Sequence, residues 1–380
     1  MARTVTWEEL RDLAGVQAEQ GLAISLYLDL DPSAAPTAGD AQTRLNSLLD
    51  QGAKANGAGK DDLTHDQRVG LKEDFERIRR YFEVEFRRDG AQGVAVFCAG
   101  LDGVWHSLSL TETVPDGIRL GHELYLAPLV PLVGRGEGAL VVVAGREQGR
   151  IYRLRAGRLE ELADLSERQP RRHDQGGWSQ ANWQRHNDEL TQEHLRRVAE
   201  ELDRRLRGLD GSQVVVVASD DVWSEFEGLL SQETRAAVAG VAHAEAHAQP
   251  SELLAAAEPV LETRRAEREA ELVERWREEA GRDGRASSGW AATLEAASDG
   301  RVELLLYGDG ATRPAKRCPA CGRLAAAGDT CPLDGTTFED SQDGLNLAVQ
   351  RTLAQGGTVW ALRSRRDLDP VEGIGALLRF

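Results

Sequence analysis

The sequence predicts a mixed α/β protein with three domains. Its 380 residues are roughly two to three times an ordinary domain, so two or three hydrophobic cores are expected. Apolar runs such as AISLYLD and VVVVAS alternate with charged, helix-like segments. Strands that are apolar on both faces imply sheets that are covered on both sides. A proline-containing link, LYLAPLVPLVG, and one long charged helix separate domains that we expect at 1–130, 131–280 and 281–380.

The first domain is expected to carry helices before and between its strands. A helix is predicted over Trp7–Gln20, an apolar strand over Ala23–Asp29 and a second helix from near Asp40. A charged helical stretch then covers Asp61–Arg88. The strand-like segments GVAVFCAG and GVWHSLSL follow it and complete an α/β domain.

The middle domain begins with the apolar run ALVVVAG and two short strands joined by glycine-containing turns. After a polar loop, the pattern predicts a long helix over Asn182–Arg207, a buried strand over Val214–Ser219 and a helix over Asp220–Leu230. A very charged helix over Pro250–Gly281 leads out of the domain.

The third domain repeats the α/β signature. It has predicted helices over Gly289–Ala297 and Leu345–Ala354, and predicted strands over Val302–Tyr307 and Thr358–Leu362. A cysteine-rich loop lies between the first strand and the second helix, and the chain finishes with GIGALLRF.

The composition argues against several classes of protein. Hydrophobic residues make up 41% and charged residues 29%, the balance of a globular protein. No apolar run approaches the roughly 20 residues that span a bilayer, and the N-terminus has no signal-peptide core, so we expect a cytoplasmic protein without a membrane segment. The net charge of −17 argues against a protein that coats nucleic acid indiscriminately. Any contact with RNA should therefore be local.

The cysteines predict one metal site. Cys318, Cys321 and Cys331 lie within fourteen residues, and Asp334 follows the last of them at the spacing that separates the first two. A C-x2-C turn presents two thiolates to one ion, and C-x2-D would supply the other half of a zinc ribbon. A degenerate loop without metal and a redox pair are the other interpretations, but the third cysteine favours a structural zinc (Zn²⁺) site over a redox pair. The lone Cys98 is expected in the core.

A glycine-rich loop stands between the hairpin and the long helix of the middle domain, in the segment RQPRRHDQGGWSQANWQRHNDEL. Gly176 and Gly177 permit backbone conformations that other residues avoid. The residues around them are basic, aromatic and polar, which suits contact with RNA phosphates and bases. The candidate RNA-binding residues are Arg171, Arg172, Trp178, Ser179 and Arg185.

Two other interpretations of this loop are open. It is also typical of an ordinary mobile surface loop in which Ser179 caps the following helix. A Ser-His-Asp hydrolase could be drawn from Ser179, Asp174 and either His173 or His186. However, Ser179 does not lie in the G-x-S-x-G turn that such hydrolases use.

These features together resemble a known family. QGGWSQ in the middle domain, the CPxC…CPxD loop and the terminal GIGALLRF are similar to the bacterial branch of the archaeo-eukaryotic release factor superfamily. This superfamily includes class-1 release factors, Pelota, the Ankzf-type peptidyl-tRNA hydrolases and Balon-like factors. The resemblance covers essentially the whole chain. It implies a ribonuclease-H-like middle domain and a C-terminal domain similar to kink-turn-binding ribosomal proteins, with an inserted zinc knuckle.

The resemblance also implies a site and partners. In release factors a Gly-Gly-Gln loop enters the peptidyl-transferase centre and helps water to attack the ester of peptidyl-tRNA. Gly176 and Gly177 match the glycines, and Gln180 is the candidate catalytic glutamine. Trp178 and Ser179 separate them, as in the Gly-x-x-Gln pattern of the Ankzf-type hydrolases. The implied partners are the ribosome, ribosomal RNA, tRNA and a translational GTPase.

Two functions from different classes follow. The first is a ribosome-activated peptidyl-tRNA hydrolase that acts on stalled or split ribosomes. The second is a hibernation or rescue factor that occupies the A site without chemistry. The paired glycines and Gln180 favour hydrolysis, whereas the altered spacing favours binding only.

Overall fold

The computed structural model describes residues 5–33, 37–58, 63–133, 138–155, 157–166, 180–209, 212–245, 247–282, 284–363 and 365–380. It is a mixed α/β protein with several sheets, so the predicted class is confirmed. The chain divides into two compact units. Unit 1 comprises Met1–Arg135 with Glu269–Phe380, and unit 2 comprises Gly136–Arg268. The three expected domain boundaries stay a prediction.

The N-terminal part of unit 1 is built on an antiparallel sheet with the order β3-β2-β1-β4. The strands are β1 (Ala23–Asp29), β2 (Gly93–Ala99), β3 (Val104–Leu110) and β4 (Gly117–Gly121). The helices are α1 (Trp7–Ala14), α2 (Ala38–Ala58) and α3 (His65–Arg80), and α3 continues into a π-helical turn at Tyr81–Glu85. Every residue of β2 is buried, because the sheet has a hydrophobic cluster on each face.

Helix α1 ends earlier than the sequence predicted. The prediction carried it to Gln20, but the structure ends it at Ala14. Beyond the helix, the N–H of Ala18 donates to the carbonyl of His122 at 2.8 Å. The carboxylate of Asp102 accepts from three successive backbone N–H groups, including that of Gln20 at 2.9 Å. These tertiary hydrogen bonds replace those that a longer helix would make.

Cys98 lies in the core, as predicted. Its side chain is buried in β2 and donates to Oδ1 of the buried Asp74 at 3.1 Å. Oδ2 of Asp74 accepts from the N–H of Gly100 at 2.9 Å. Burial raises the pKa of the Cys98 thiol far above its ordinary value, so this thiol stays protonated.

Unit 2 contains a five-stranded sheet with the order β7-β6-β5-β8-β9. Its strands are β5 (Leu140–Ala144), β6 (Gly149–Arg155), β7 (Arg158–Asp164), β8 (Val214–Val217) and β9 (Val238–Ala242). Its helices are α4 (Gln180–Leu206), α5 (Asp220–Glu227), α6 (Gln232–Ala237) and the first part of α7 (Pro250–Gly281). Strands β5, β8 and β9 are parallel, and β6 and β7 form an antiparallel hairpin at one edge.

Both faces of the unit 2 sheet are covered, as the continuous apolar runs predicted. Val142 faces a cluster that includes Leu195 of α4, whereas Val143 faces a cluster that includes Leu253 of α7. A strand that is buried on both faces cannot alternate polar and apolar residues, which explains the sequence VVVV in β8.

The C-terminal part of unit 1 contains a sheet with the order β10-β16-β11-β15 and a small sheet with the order β13-β12-β14. The strands are β10 (Ala286–Ser288), β11 (Val302–Gly308), β12 (Ala315–Arg317), β13 (Leu324–Ala325), β14 (Glu339–Ser341), β15 (Thr358–Leu362) and β16 (Ile374–Leu378). The helices are α8 (Gly289–Ser298) and α9 (Gly344–Ala354). GIGALLRF, which the sequence left without an element, supplies β16, one of the two internal strands of the larger sheet.

One hydrophobic cluster joins the two parts of unit 1. It contains Leu10 and Phe97 from the N-terminal part together with Trp290 and Leu347 from the C-terminal part. These side chains are buried, so the two parts share a core. In the described parts of the chain, no helix is both long and apolar enough to cross a membrane.

Candidate metal centre and glycine-rich loop

Two turns with the same hydrogen bonds carry the predicted metal ligands. In the first turn, the carbonyl of Cys318 accepts from the N–H of Gly322 at 2.9 Å, and the N–H of Cys318 donates to the carbonyl of Arg323 at 2.8 Å. In the second turn, Cys331 makes the equivalent bonds to Gly335 at 2.9 Å and to Thr336 at 2.8 Å. We call these turns knuckle 1 (residues 318–323) and knuckle 2 (residues 331–336).

A glycine closes each knuckle in the left-handed region of backbone space. Gly322 has a φ of 72° and Gly335 has a φ of 73°. Only glycine adopts this conformation without a steric cost. The sequences CPACGR and CPLDGT therefore share the pattern C-P-x-[C/D]-G, a signal that would have identified both glycines from the sequence alone.

The knuckles bring the four predicted ligands together. One ligand atom from each of Cys318, Cys321, Cys331 and Asp334 lies within 4.8 Å of all the others. The Sγ atoms of Cys321 and Cys331 are 3.5 Å apart, and Sγ of Cys318 is 3.5 Å from Oδ2 of Asp334. A tetrahedral zinc ion with zinc–sulfur bonds of about 2.3 Å sets its ligand atoms roughly 3.8 Å apart. The arrangement can therefore accept an ion of this size with little movement.

Local hydrogen bonds favour negative charge on two of these groups. The backbone N–H and the side chain of Thr336 hydrogen-bond to Asp334 and hold the pKa of its carboxyl well below the ordinary value. Burial raises the pKa of Cys318, but the N–H groups of Cys321 and Ala320 outweigh burial and leave the pKa below its ordinary value. A carboxylate and a thiolate beside each other suit a divalent cation.

The pKa of the Cys321 thiol shifts in the opposite direction, upward. The N–H of Arg323 favours its thiolate, but burial and the neighbouring thiols of Cys318 and Cys331 outweigh that bond and raise the pKa to about 12. A bound cation would reverse this shift, because metal coordination deprotonates a thiol.

The two knuckles are anchored to different extents. Knuckle 1 is tied to α8, since Arg323 forms an ion pair with Asp299 at 2.8 Å and Leu324 donates its N–H to the hydroxyl of Ser298 at 2.8 Å. Knuckle 2 is exposed apart from Cys331 and the half-buried Thr336. Its apolar contacts form a small cluster with Phe338. An ion shared by the knuckles would therefore join the weakly anchored knuckle 2 to knuckle 1 and to β12 (Ala315–Arg317), which directly precedes Cys318.

The glycine-rich loop lies largely outside the described residues. This holds for Arg171, Arg172, Gly176, Gly177, Trp178 and Ser179. Gln180 is the first residue of α4, and Arg185 is exposed on the same helix. The catalytic and RNA-binding roles expected for these eight residues stay predictions.

Helix α4 is packed along only part of its length. No side chain from Arg185 to Leu190 is buried, and the first buried side chain among those described is Thr191. From Leu195 onward, the helix contacts the sheet of unit 2. Eleven residues at about 1.5 Å each make roughly 16 Å of helix between Gln180 and Thr191.

The middle of the chain matches a known family. Residues 125–262 match the model of bacterial archaeo-eukaryotic release factor family 10, and this range contains the glycine-rich loop and Gln180. No curated protein matches the chain.

Several solved structures are similar to this one at low identity. The archaeal translation termination factor aRF1 is 17% identical over 99% of both chains, with a TM-score of 0.27. Archaeoglobus fulgidus Pelota is 16% identical over 78% of this chain and 82% of its own, with a TM-score of 0.35. S. cerevisiae Dom34 is 11% identical over 76% of this chain and 79% of its own, with a TM-score of 0.40. At these TM-scores the likenesses carry no weight beside the family match. Residues 125–262 are thus similar to the bacterial branch of the archaeo-eukaryotic release factor superfamily, the family that the sequence resembles.

Proposed function

We propose that this protein acts on stalled or split ribosomes as a release-factor-like hydrolase of peptidyl-tRNA. The observation that carries the proposal is the family match over residues 125–262, which includes Gly176, Gly177 and Gln180. The proposed partners are the ribosome, its RNA and tRNA, with a translational GTPase as the delivering factor. A protein with these partners would work in the cytoplasm.

The proposed chemistry uses Gln180 to orient water. A neutral amide neither accepts a proton at pH 7 nor forms a covalent intermediate. Its N–H and carbonyl groups can position a water molecule and stabilise the oxyanion that develops on the ester. Ribosomal RNA would supply most of the surroundings, so the isolated protein should hydrolyse peptidyl-tRNA very slowly.

The packing of α4 supports this use of the loop. A residue at the beginning of a helix whose first described turns bury no side chain can enter a narrow cavity without unfolding the core. Arg185 lies in that unpacked part and is exposed, so it is available for a phosphate. We propose the same role for Arg171 and Arg172, and base stacking or polar contact for Trp178 and Ser179.

We further propose that Cys318, Cys321, Cys331 and Asp334 bind one structural zinc ion. Three thiolates and a carboxylate form a closed set of four ligands, which leaves no position for a substrate. The close spacing of the four ligand atoms, all within 4.8 Å of one another, and the matching hydrogen bonds of the two knuckles support zinc at this site.

The finer fold assignments belong to the same proposal. An antiparallel hairpin beside parallel strands, with helices on both faces, supports a ribonuclease-H-like middle domain. For the C-terminal region we propose similarity to kink-turn-binding ribosomal proteins, with the knuckles as an insertion between β11 and α9.

A second candidate is a hibernation or rescue factor that occupies the A site without hydrolysis. The observation that favours it is the pair of residues, Trp178 and Ser179, between the glycines and Gln180. A glutamine that is displaced by two positions could miss the ester, and the loop would then only fill the cavity.

The test is release of a labelled peptide from peptidyl-tRNA on ribosomes or large subunits. Wild type, Gln180→Ala and Gln192→Ala are compared, because Gln192 is exposed on the same helix and serves as the matched control. Release by wild type and Gln192→Ala, with none by Gln180→Ala and unchanged ribosome binding, is the expected result. Equal release by all three would refute the role of Gln180. Tight binding without release by any of them would support the hibernation or rescue factor instead.

A further inference from the structure

A largely buried ion pair lies next to the candidate metal centre. Arg317 is the last residue of β12 and directly precedes Cys318. Its Nε is 3.1 Å from Oε1 of Glu123, and the two side chains are only 19% and 15% exposed. By comparison, the nearby pair of Arg313 and Glu372 is 45% and 57% exposed. Water and salt screen the buried pair much less, and the loss of either partner would leave a largely buried charge unpaired.

Glu123 begins a segment that docks on α9. We call residues 123–127 the junction segment. The amide oxygen of Asn346 accepts from the N–H of Leu126 at 2.7 Å and of Ala127 at 3.3 Å, and its Nδ2 donates to the carbonyl of Leu124 at 3.1 Å. Gln350 donates to the same carbonyl. The junction segment, from the N-terminal part of unit 1, is thus held by α9 along its length and by Arg317 at its beginning.

Strand β12 contacts both α9 and the junction segment. Its entry is close to the first turn of α9, where the N–H of Gly344 donates to the carbonyl of Arg313 at 2.9 Å. A Cβ atom on Gly344 would lie 2.8 Å from Cβ of Ala315, so the two backbones are in close contact. The other end of β12 carries Arg317, which reaches Glu123.

The sheet around β12 is too small to be rigid alone. β12 has three residues, β13 two and β14 three. Short strands of this kind are marginally stable without another constraint. A metal ion bound to Cys318 would supply this constraint, because it would fix the residue next to Arg317.

We propose that the metal centre acts as a clamp between the N-terminal and C-terminal parts of unit 1. Metal binding fixes β12, β12 presents Arg317 to Glu123, and this ion pair holds the junction segment against Asn346. Arg317 is a positioning residue that carries the effect of the metal to a segment without metal ligands. The inference rests on the proposed zinc site and adds a role for the ion, which is to hold the junction segment in place. The junction segment leads along the chain to unit 2.

Hydrogen–deuterium exchange at the amides of Leu126 and Ala127 tests the clamp in the full-length protein. The zinc content of each sample is measured in parallel. We expect removal of zinc by a chelator to raise exchange at these two amides by about tenfold, while the amides of Val215 and Val216 in unit 2 stay protected. Arg317→Met should raise exchange to a similar extent and still bind zinc, because it loses the charge and keeps the apolar stem. Arg313→Met is the matched control and should behave like wild type.

Three outcomes of the exchange experiment would contradict the clamp or one of its parts. A protein that binds and loses zinc without a change at Leu126 and Ala127 would overturn the clamp and leave the zinc site intact. Unchanged exchange in zinc-bound Arg317→Met would overturn the role of the ion pair. Failure to bind zinc at all would remove the proposed zinc site and the clamp with it. Glu123→Gln, which keeps the shape of the side chain, repeats the test from the other partner.

Discussion

The Sγ atoms of Cys321 and Cys331 lie 3.5 Å apart although the two residues belong to different knuckles. Cys321 is exposed and Cys331 is buried, so the cluster spans the boundary between the surface and the core. The apolar contacts of knuckle 2 form one small cluster in which Cys331 packs with Cys318 and Phe338. The cluster is thus the point at which an ion would contribute most to local stability.

Removing a buried ligand should abolish metal binding. Wild type is expected to contain about one zinc per chain, and Cys318→Ser essentially none, because three remaining ligands bind a structural ion much more weakly. The measurement is metal analysis of protein that was purified with zinc and then dialysed. Cys98→Ser is the control. Because Cys98 lies in β2, this variant should keep its zinc. Equal zinc contents in the two variants would contradict the assignment.

The glycine that closes knuckle 1 should be needed for its conformation. Gly322→Ala places a side chain at a φ of 72°, which costs about 1–2 kcal/mol. We expect weaker zinc binding in a competition with a chromophoric chelator. Gly117→Ala is the matched control, because Gly117 has an ordinary φ and nothing near its missing Cβ. If both variants bind zinc as wild type does, the conformation of knuckle 1 does not govern metal affinity.

The sequence predicted the helices and strands that a local residue pattern is sufficient to define. β1, β15 and α7 have the predicted bounds, because an apolar run or a long charged helical pattern is sufficient to define each of them. β4 and β9 were missed, since GIRLG and VAGVA are short and rich in glycine or alanine. Their pairing depends on neighbouring strands that are distant in the chain.

The cysteine cluster and the ion pair of Arg317 and Glu123 also differ in whether a local sequence pattern predicts them. Cysteine spacing is a local signal, and it predicted a cluster that the structure brings together. The pair of Arg317 and Glu123 has no such signal, because the two residues are distant from each other in the chain. Only the fold shows that the two side chains meet.

The side chain of Asn346 should be essential for the junction segment. Asn346→Ala would leave the buried N–H groups of Leu126 and Ala127 without this acceptor, while Gln350 still donates to the carbonyl of Leu124. We expect a cost of about 3 kcal/mol in the free energy of unfolding. Denaturant unfolding measures this loss. Asn46→Ala, at an exposed position on α2, should lose far less stability. Similar losses in the two variants would show that the amide network contributes little.

Arg185 should contribute electrostatically to ribosome binding if the unpacked part of α4 contacts RNA. The protein has a net charge of −17, so contact with phosphate has to come from local basic side chains such as the exposed Arg185. Arg185→Glu is expected to weaken ribosome binding. It should also make the negative slope of log affinity against log salt concentration shallower by about 1. Affinity for ribosomes at several salt concentrations gives that slope. Arg313→Glu, which reverses an exposed charge in unit 1, is the control. A reduced affinity with an unchanged salt slope would mean that Arg185 contacts the ribosome without neutralising a phosphate, and unchanged affinity would remove it from the interface.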